Sequence, residues 1–307
     1  MNLRDFKSAE ARRVALENEL SILLPTIGSF GLDESVVSTK HCENMIGAVQ
    51  VPVGVAGPIK VQSLKFKVQS YYIPLATTEG ALIASINRGC KAISESGGAI
   101  VYSEKFGTTR GPVFFTQSIK KTQELSKWIV DHKTELKEIA ESTSSHLKFK
   151  DIKLNSTGNY LFARFVFDCN EAMGMNMVTI APQAICDYVR EKTGVESIVA
   201  GNFDIDKKAS WLNFIDNRGV PAWAEIVLSE ESVRSVLKTT PQKLFDTWLA
   251  KCMVGSAMSG SLGFNAHAAN VIAAIFLATG QDPAHVVEGS QGITTMHLVD
   301  NTIYISI

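Results

Sequence analysis

The residues best suited to chemistry sit in a few separated stretches. Residues 74–90, Pro-Leu-Ala-Thr-Thr-Glu-Gly-Ala-Leu-Ile-Ala-Ser-Ile-Asn-Arg-Gly-Cys, place Glu79 at the head of an apolar helix. Ser85, Asn87 and Arg88 follow about two turns later. Thr77 or Thr78 supplies a hydroxyl cap for backbone N–H groups that lack an intrahelical partner, and Gly97-Gly98 stops the helix. A first-turn carboxylate is favoured by the helix dipole, so on its own Glu79 serves structure as well as chemistry. The run Glu171-Ala-Met-Gly-Met-Asn-Met177 opens a second helix. There Gly174 allows close backbone approach, and helix N-terminal N–H groups suit a pyrophosphate; a methionine-rich core helix start explains the same residues. Asp206-Lys207-Lys208 reads as a solvated turn and Asp282 as a helix-end turn residue, each with chemistry as the alternative. No Gly-x-Gly-x-x-Gly follows a strand, so a Rossmann domain is not supported.

The chain that carries these groups has 307 residues, 45% hydrophobic and 20% charged, with a net charge of −1. That is ordinary globular composition with room for one large or two moderate domains. There is no basic stripe for nucleic acid. Five scattered cysteines without a Cys-x-x-Cys argue against a disulfide framework and a zinc site, and fit a reducing cytoplasm. The charged N-terminus is no signal peptide, and the longest apolar run, residues 271–278, is far short of the roughly 20 residues that cross a bilayer.

The elements expected to position these groups follow from periodicity. Residues 4–24 predict an amphipathic helical arm ended by Pro25, with the arm extending over 1–41. Residues 42–76 are strand-like (Val51, Val53 and Val55, then Ile59, Val61, Leu64, Phe66 and Val68). Over 111–200 the order is strand, helix 118–141, a hairpin of 146–154 with 159–167 about Ser-Thr-Gly, helix 173–191 and strand 195–200. That is the βαββαβ order of a ferredoxin-like module. Helices at 241–256 and 265–279 follow, the second apolar on nearly every face and therefore expected at the centre of its domain. The fold class is α+β. A large domain (42–110 and 201–307) surrounds a buried central helix, and a ferredoxin-like cofactor-binding domain (111–200) is inserted in it.

Five segments in order resemble class I 3-hydroxy-3-methylglutaryl-coenzyme A reductases. They are His-Cys-Glu-Asn-Met-Ile-Gly at 41–47 with Pro-Val-Gly-Val-Ala-Gly-Pro, Ala-Thr-Thr-Glu-Gly at 76–80, the 171–177 run, Asp206-Lys207-Lys208, and Asn265-Ala-His-Ala-Ala-Asn270 with Gly280-Gln281-Asp282. The resemblance implies NADPH-dependent reduction of 3-hydroxy-3-methylglutaryl-CoA to mevalonate and coenzyme A. Lys207 would stabilise the carbonyl oxygen and Glu79 would donate its proton. Asp282 would raise the Glu79 pKa against the pull of the helix dipole, making a coupled set. It further implies Arg110, Asp206, Lys208, Lys251 and Asn270 around the hydroxymethylglutaryl group, with interhelical hydrogen bonding as the alternative for Asn270 and Ser85. Glu43, Asn44, Ser85, Asn87 and Arg88 would contact coenzyme A. Glu171, Met173, Gly174, Met175 and Asn176 would contact NADPH, with Glu171 where the family usually has Asp. No metal is implied, and a homodimer or its multiple with the site at the subunit boundary is.

The family continues beyond the strand at 303–307 with a glycine-rich cofactor loop and a histidine that protonates the departing thiolate. None of the six histidines occupies that place. A fragment of a longer enzyme or a shortened relative is therefore expected, the alternative being an inactive relative that binds CoA thioesters or a partner subunit. His267 is taken as a satisfied core histidine, His297 as a strand residue, and His285 has no family role. Ala209-Ser210-Trp211 replaces the family's Pro-Ala-Ala.

Overall fold

The computed structural model describes residues 5–63 and 66–307, the side chain of Phe66 excepted. Met1–Arg4 of the expected arm and Leu64 of the expected strand thus lie outside the described residues. The chain divides into two compact units. Residues Met1–Gly54 and Ala76–Glu79 make the first, and Val55–Leu75 with Gly80–Ile307 make the second.

In the first unit, Ser8 caps helix α1 (Ala9–Leu20) by accepting from the Ala11 N–H, and a left-handed Ser21 ends it. The expected arm is therefore shorter, since the chain turns at Ser21 and not at Pro25. Asp33 caps a second helix, α2 (Glu34–Lys40). The segment 42–52 is loop and not strand; its apolar positions lack the paired neighbour that a strand needs. Arg12 donates to the Met45 carbonyl at 3.1 Å and Arg13 to that of Ile46 at 3.4 Å, so the arm holds the 43–47 turn. At Gly47 a Cβ would lie 1.9 Å from the Ile27 carbonyl oxygen, so no other residue fits.

The second unit holds two sheets. The larger is built from β1 (Val53–Ser63), β2 (Phe66–Ala76), β3 (Ala99–Ser103), β9 (Ala222–Leu228), β10 (Thr295–Val299) and β11 (Thr302–Ser306), in the order β10-β11-β9-β3-β1-β2. The β1–β3 pair is parallel, with Val61 opposite Ala99; β3–β9, β9–β11 and β10–β11 are antiparallel. Helix α3 (Leu82–Glu95) turns Leu82 and Cys90 onto Ala56 and Leu75.

The smaller sheet contains β4 (Thr108–Arg110), β5 (Val113–Phe115), β6 (Lys148–Thr157), β7 (Tyr160–Asp168) and β8 (Glu196–Ile198). β4 and β5 pair with successive halves of β7, and they behave as one strand interrupted at Gly111-Pro112. Read so, the antiparallel order is β6-β7-β4/β5-β8. The expected single helix over 118–141 is two, α4 (Ile119–Asp131) and α5 (Lys133–Ser142), broken at His132. Leu125, Ile129 and Leu136 from them are buried against Phe114, Phe165 and Phe167, as their helical spacing predicts. The hairpin turns at Gly158-Asn159, one residue later than expected. The expected alternation in β7 fails because both faces of that strand are covered, Arg164 included. Helix α6 (Met177–Thr193) completes the module.

After it come α7 (Trp211–Asp216), α8 (Glu230–Ser235) and α9 (Pro241–Trp248). A π-helical segment, Leu249–Gly255, leads into α10 (Ser256–Ser259). The apolar helix is α11 (Ala268–Ala278), followed by a 3₁₀ turn (Pro283–His285) and α12 (Val286–Gly289). The expectation of a buried central helix is corrected here. Only Ala274 of α11 is buried, and Leu277 is 48% exposed. Among the described residues, Ala274 packs into the Ala56–Leu75 cluster, and Ile272 and Phe276 face Gly289.

Candidate active site

A tight turn, 204–208, carries the central group of candidates. Asp204 is almost wholly buried, and its carboxylate takes the Arg110 guanidinium at 2.8 Å. The Thr109 hydroxyl donates to the Asp204 carbonyl at 2.7 Å. With that end fixed, Ile205 and Lys207 both adopt positive φ (56° and 57°), a conformation β-branched or long side chains hold only when their surroundings enforce it. The result presents Lys207 outward. Its Nζ lies 2.5 Å from Asp282 Oδ2, the pair about one-third exposed.

Asp282 is held by its own turn, because its carboxylate also accepts the Ala284 N–H at 3.0 Å. The hydrogen bond to Asp282 pushes the Lys207 pKa above the ordinary lysine value, and the Lys207 ammonium holds Asp282 below the usual carboxylate range. At neutral pH the pair is an ammonium beside a carboxylate, the state needed to receive a developing oxyanion.

Behind this pair lies a cluster that residue patterns did not reveal. Arg218 donates to Asp206 Oδ1 (3.1 Å), Glu288 Oε1 (2.6 Å) and Thr109 Oγ1 (2.9 Å). His285 Nε2 lies 3.3 Å from Asp206 and 3.6 Å from Glu288. Burial pushes the Glu288 carboxyl up against the opposing pull of Arg218. Ligand atoms of Asp206, His285 and Glu288 lie within 4.8 Å of one another, but Arg218 already bonds both carboxylates, so a divalent ion there would meet a fixed cation. These residues come from four separated segments, at 109, 206, 218 and 285–288, with no shared motif. The hints in the sequence were Asp206, in the Asp206-Lys207-Lys208 motif, and His285, three residues after Asp282.

The remaining candidates are distributed as follows. Lys208 Nζ donates to the Asp206 carbonyl at 3.1 Å. Arg110 is turned inward, with its second nitrogen on Thr179 Oγ1 at 2.8 Å. Lys251 projects from the π-helical segment and meets His267 Nε2 at 2.9 Å. His267 is therefore not the expected core histidine: it is exposed, in the residue just before α11, because the helix starts only at Ala268. Asn270 occupies the first turn of that helix and is half-buried.

Ser85, Asn87 and Arg88 lie on the exposed side of α3, which does not favour the interhelical alternative for Ser85. Asn87 also has a structural task, accepting the Gly57 N–H at 2.9 Å. In the first unit, Glu79 is exposed and sits in a turn, its N–H donating to Thr77 Oγ1 at 2.9 Å. The first-turn placement is corrected: α3 begins only at Leu82, after a left-handed Ala81, and has no acid in its first turn. Thr77 caps that turn and not the helix. Glu43 is exposed, and Asn44 is left-handed (φ 57°) in the turn held by Arg12 and Arg13.

The methionine run is also placed differently. Met173–Asn176 form the turn before α6, which starts at Met177. Gly174 has φ 82°, and a Cβ on it would lie 2.3 Å from Cys169 Sγ. Its freedom is thus used to seat Cys169. The run still borders an open cleft of about 1560 Å³, lined among others by Lys105, Glu171, Met173, Met175, Arg218 and Glu288.

The fold combines two sheets with helices, and it sets an ammonium–carboxylate pair near a large cleft; similarity to known proteins narrows the class. The sequence profile described as hydroxymethylglutaryl-coenzyme A reductase matches residues 8–307. The 3-hydroxy-3-methylglutaryl-coenzyme A reductase of Methanocaldococcus jannaschii is 44% identical, over 98% of this chain and 76% of that protein. The Pyrococcus abyssi protein of the same name is 43% identical, over 98% and 74%. A solved structure of the Streptococcus pneumoniae reductase shares the fold at TM-score 0.67 and 17% identity, covering 99% of this chain and 84% of that one. A second, titled as a class II enzyme bound to NADPH, aligns at TM-score 0.64 and 16% identity, over 99% and 84%.

This chain belongs to the hydroxymethylglutaryl-coenzyme A reductase family. Among the described residues no helix is long and apolar enough to cross a membrane.

Proposed function

We propose that the chain reduces 3-hydroxy-3-methylglutaryl-CoA to mevalonate with two molecules of NADPH per thioester. The observation that carries this reading is the Lys207–Asp282 pair. Each hydride delivered to the carbonyl carbon leaves negative charge on oxygen, and a fixed ammonium meets that charge without reorganising. Asp282 keeps Lys207 protonated and aimed. Glu79 is the proposed proton donor, an assignment resting on its Ala-Thr-Thr-Glu-Gly context.

Lys208, Lys251, Asp206, Asn270 and Arg110 are proposed around the hydroxymethylglutaryl group. Lys251 is the exposed cation best suited to its free carboxylate, whereas Arg110 acts through Asp204 in the conformation described. Glu43, Asn44, Ser85, Asn87 and Arg88 are proposed for coenzyme A, and exposure of the α3 trio supports them. NADPH is assigned to the cleft beside Glu171, Met173, Gly174, Met175 and Asn176, on a ferredoxin-like module spanning 111–200; the strand order and α6 behind the sheet support that reading. The domains 1–41, 42–110 and 201–307 complete the proposed division.

Class I membership is supported by the Gly-Val-Ala-Gly-Pro wording and by the low identity to the class II structure. A cytoplasmic homodimer, its site at the subunit boundary, completes the reading. Apolar side chains left open on the larger sheet, Tyr102 and Trp223 among them, support association. Light scattering that found an active monomer would remove that part.

The decisive experiment follows NADPH oxidation with the CoA thioester. Lys207→Ala is expected to lower turnover by on the order of 10²–10³ while coenzyme A still binds. Near-normal turnover in that variant would overturn the assignment.

A further inference from the structure

We propose that Arg218 is a positioning residue that holds Lys207 and Asp282 in register, a role that rests on the reading of Lys207 given above. Arg218 grips the chain beside each member of the pair. Towards Lys207 it binds the carboxylate of the preceding residue, Asp206. Towards Asp282 it binds Glu288 on α12, the short helix that continues from the Asp282 turn. Its third contact, Thr109, is fully buried and itself holds the Asp204 carbonyl. The 204–206 turn is thus held at both ends by one guanidinium and its hydroxyl partner.

Arg218 is suited to this because it cannot wander. Only 9% of its side chain is exposed. Its backbone is pinned next door, where Gly219 and Gly107 exchange hydrogen bonds at 2.8 and 3.0 Å. On the other side, Asp216 receives Lys153 at 2.6 Å, and the buried Arg164 donates to the Asn217 carbonyl at 2.9 Å. A planar fork with five donors serves three separated acceptors at once, which a lysine does not. The need for such a device is visible in the turn itself: Ile205 and Lys207 occupy left-handed backbone conformations that persist only when over-determined by their surroundings. His285 touches both carboxylates and supports the cluster, but it reaches neither Thr109 nor the 204 carbonyl in the contacts seen here.

The test compares Arg218→Met, Arg218→Lys and Glu288→Gln, each alone and with Asp282→Asn, by kcat, KM and melting temperature. A misplacement of about 1 Å costs a reaction roughly 100-fold. Arg218→Met is therefore expected to lose about that in kcat, with KM within about threefold, and Arg218→Lys to recover about a tenth of wild-type kcat. Because Arg218 acts through the Lys207–Asp282 pair, Asp282→Asn and Arg218→Met should combine to much less than the product of their separate losses. Wild-type kcat in Arg218→Lys, a loss in KM alone, or fully multiplicative losses would overturn the proposal. Should Arg218→Met fail to fold, Arg218→Lys and Glu288→Gln are judged by the same criteria. Normal turnover in Lys207→Ala would break the functional reading and this inference with it. Collapse of Lys207→Ala alongside an unimpaired Arg218→Lys would break this inference alone.

Discussion

The module around β7 and the region around α11 solve the same problem differently. In the module, Phe114, Ile129, Leu136, Phe165, Phe167 and Ile185 are at most 1% exposed, drawn from the helices and the sheet they pack on. That core is extensive, although Ile119, Val130, Ile180 and Ile198 of the same module are each more than half exposed. Around α11 the composition is still more apolar, yet only Ala274 is buried, and the larger sheet leaves Ile100, Tyr102, Trp223 and Val227 between 38% and 46% exposed. The first region has an extensive buried core and the second a small one. The candidate catalytic turn is tied to its neighbours by Arg110, which binds Asp204, and by Arg218, which binds Asp206 and Glu288.

Substitution can break this contrast or sharpen it. Phe165→Ala removes a ring packed against Phe149 and Phe167 and is expected to cost about 3–5 kcal/mol, whereas Leu277→Ala on α11 should stay within about 0.5 kcal/mol. Urea denaturation of both variants measures this. Equal losses would mean that α11 is covered in solution, and the contrast would be a property of the single chain only.

Gly174→Ala tests the junction of module and cleft. It forces an l-residue to φ 82° and drives a methyl into Cys169, so a loss of about 2 kcal/mol is expected. Adding Cys169→Ala should restore only the steric part. Full restoration would show that backbone strain contributes nothing there.

The smallest effect concerns pH. Asp282 raises the Lys207 pKa, so Asp282→Asn returns it toward the ordinary value of about 10.4 and moves the alkaline limb of kcat/KM to lower pH. For stability the signs are opposite at the two ends. The depressed Asp282 contributes above the unfolded carboxylate pKa, and that contribution is lost as pH falls through its folded value. The raised Lys207 contributes below the unfolded lysine pKa, and that contribution is lost as pH rises through its folded value. Asp282→Asn should flatten both edges, and an unchanged alkaline limb would mean that another group sets it.

The family and the strand–helix order of the module were legible without coordinates, because both depend on local wording and periodicity. Leu125, Ile129 and Leu136 announce their buried face through 3.6-residue spacing alone. Short-range signals also placed the hairpin within a residue. They misplaced the starts of α3 and α6, since a helix start depends on φ/ψ choices at Ala81 and Gly174 that composition does not reveal. His267 was misread for the same reason: the helix begins one residue after it.

Sequence by itself determined which residues are proposed for the chemistry, Glu79, Lys207 and Asp282, in motifs whose order points to the family. Tertiary structure alone decided that Lys207 and Asp282, 75 positions apart in the numbering, stand 2.5 Å from each other, and that Arg218, Glu288 and His285 gather behind them. Periodicity reports which face of an element is buried, but it carries no information on which distant segment arrives there. A charge cluster assembled from separated segments costs too much to desolvate unless every member finds a partner, and that condition is met only once the whole chain has folded.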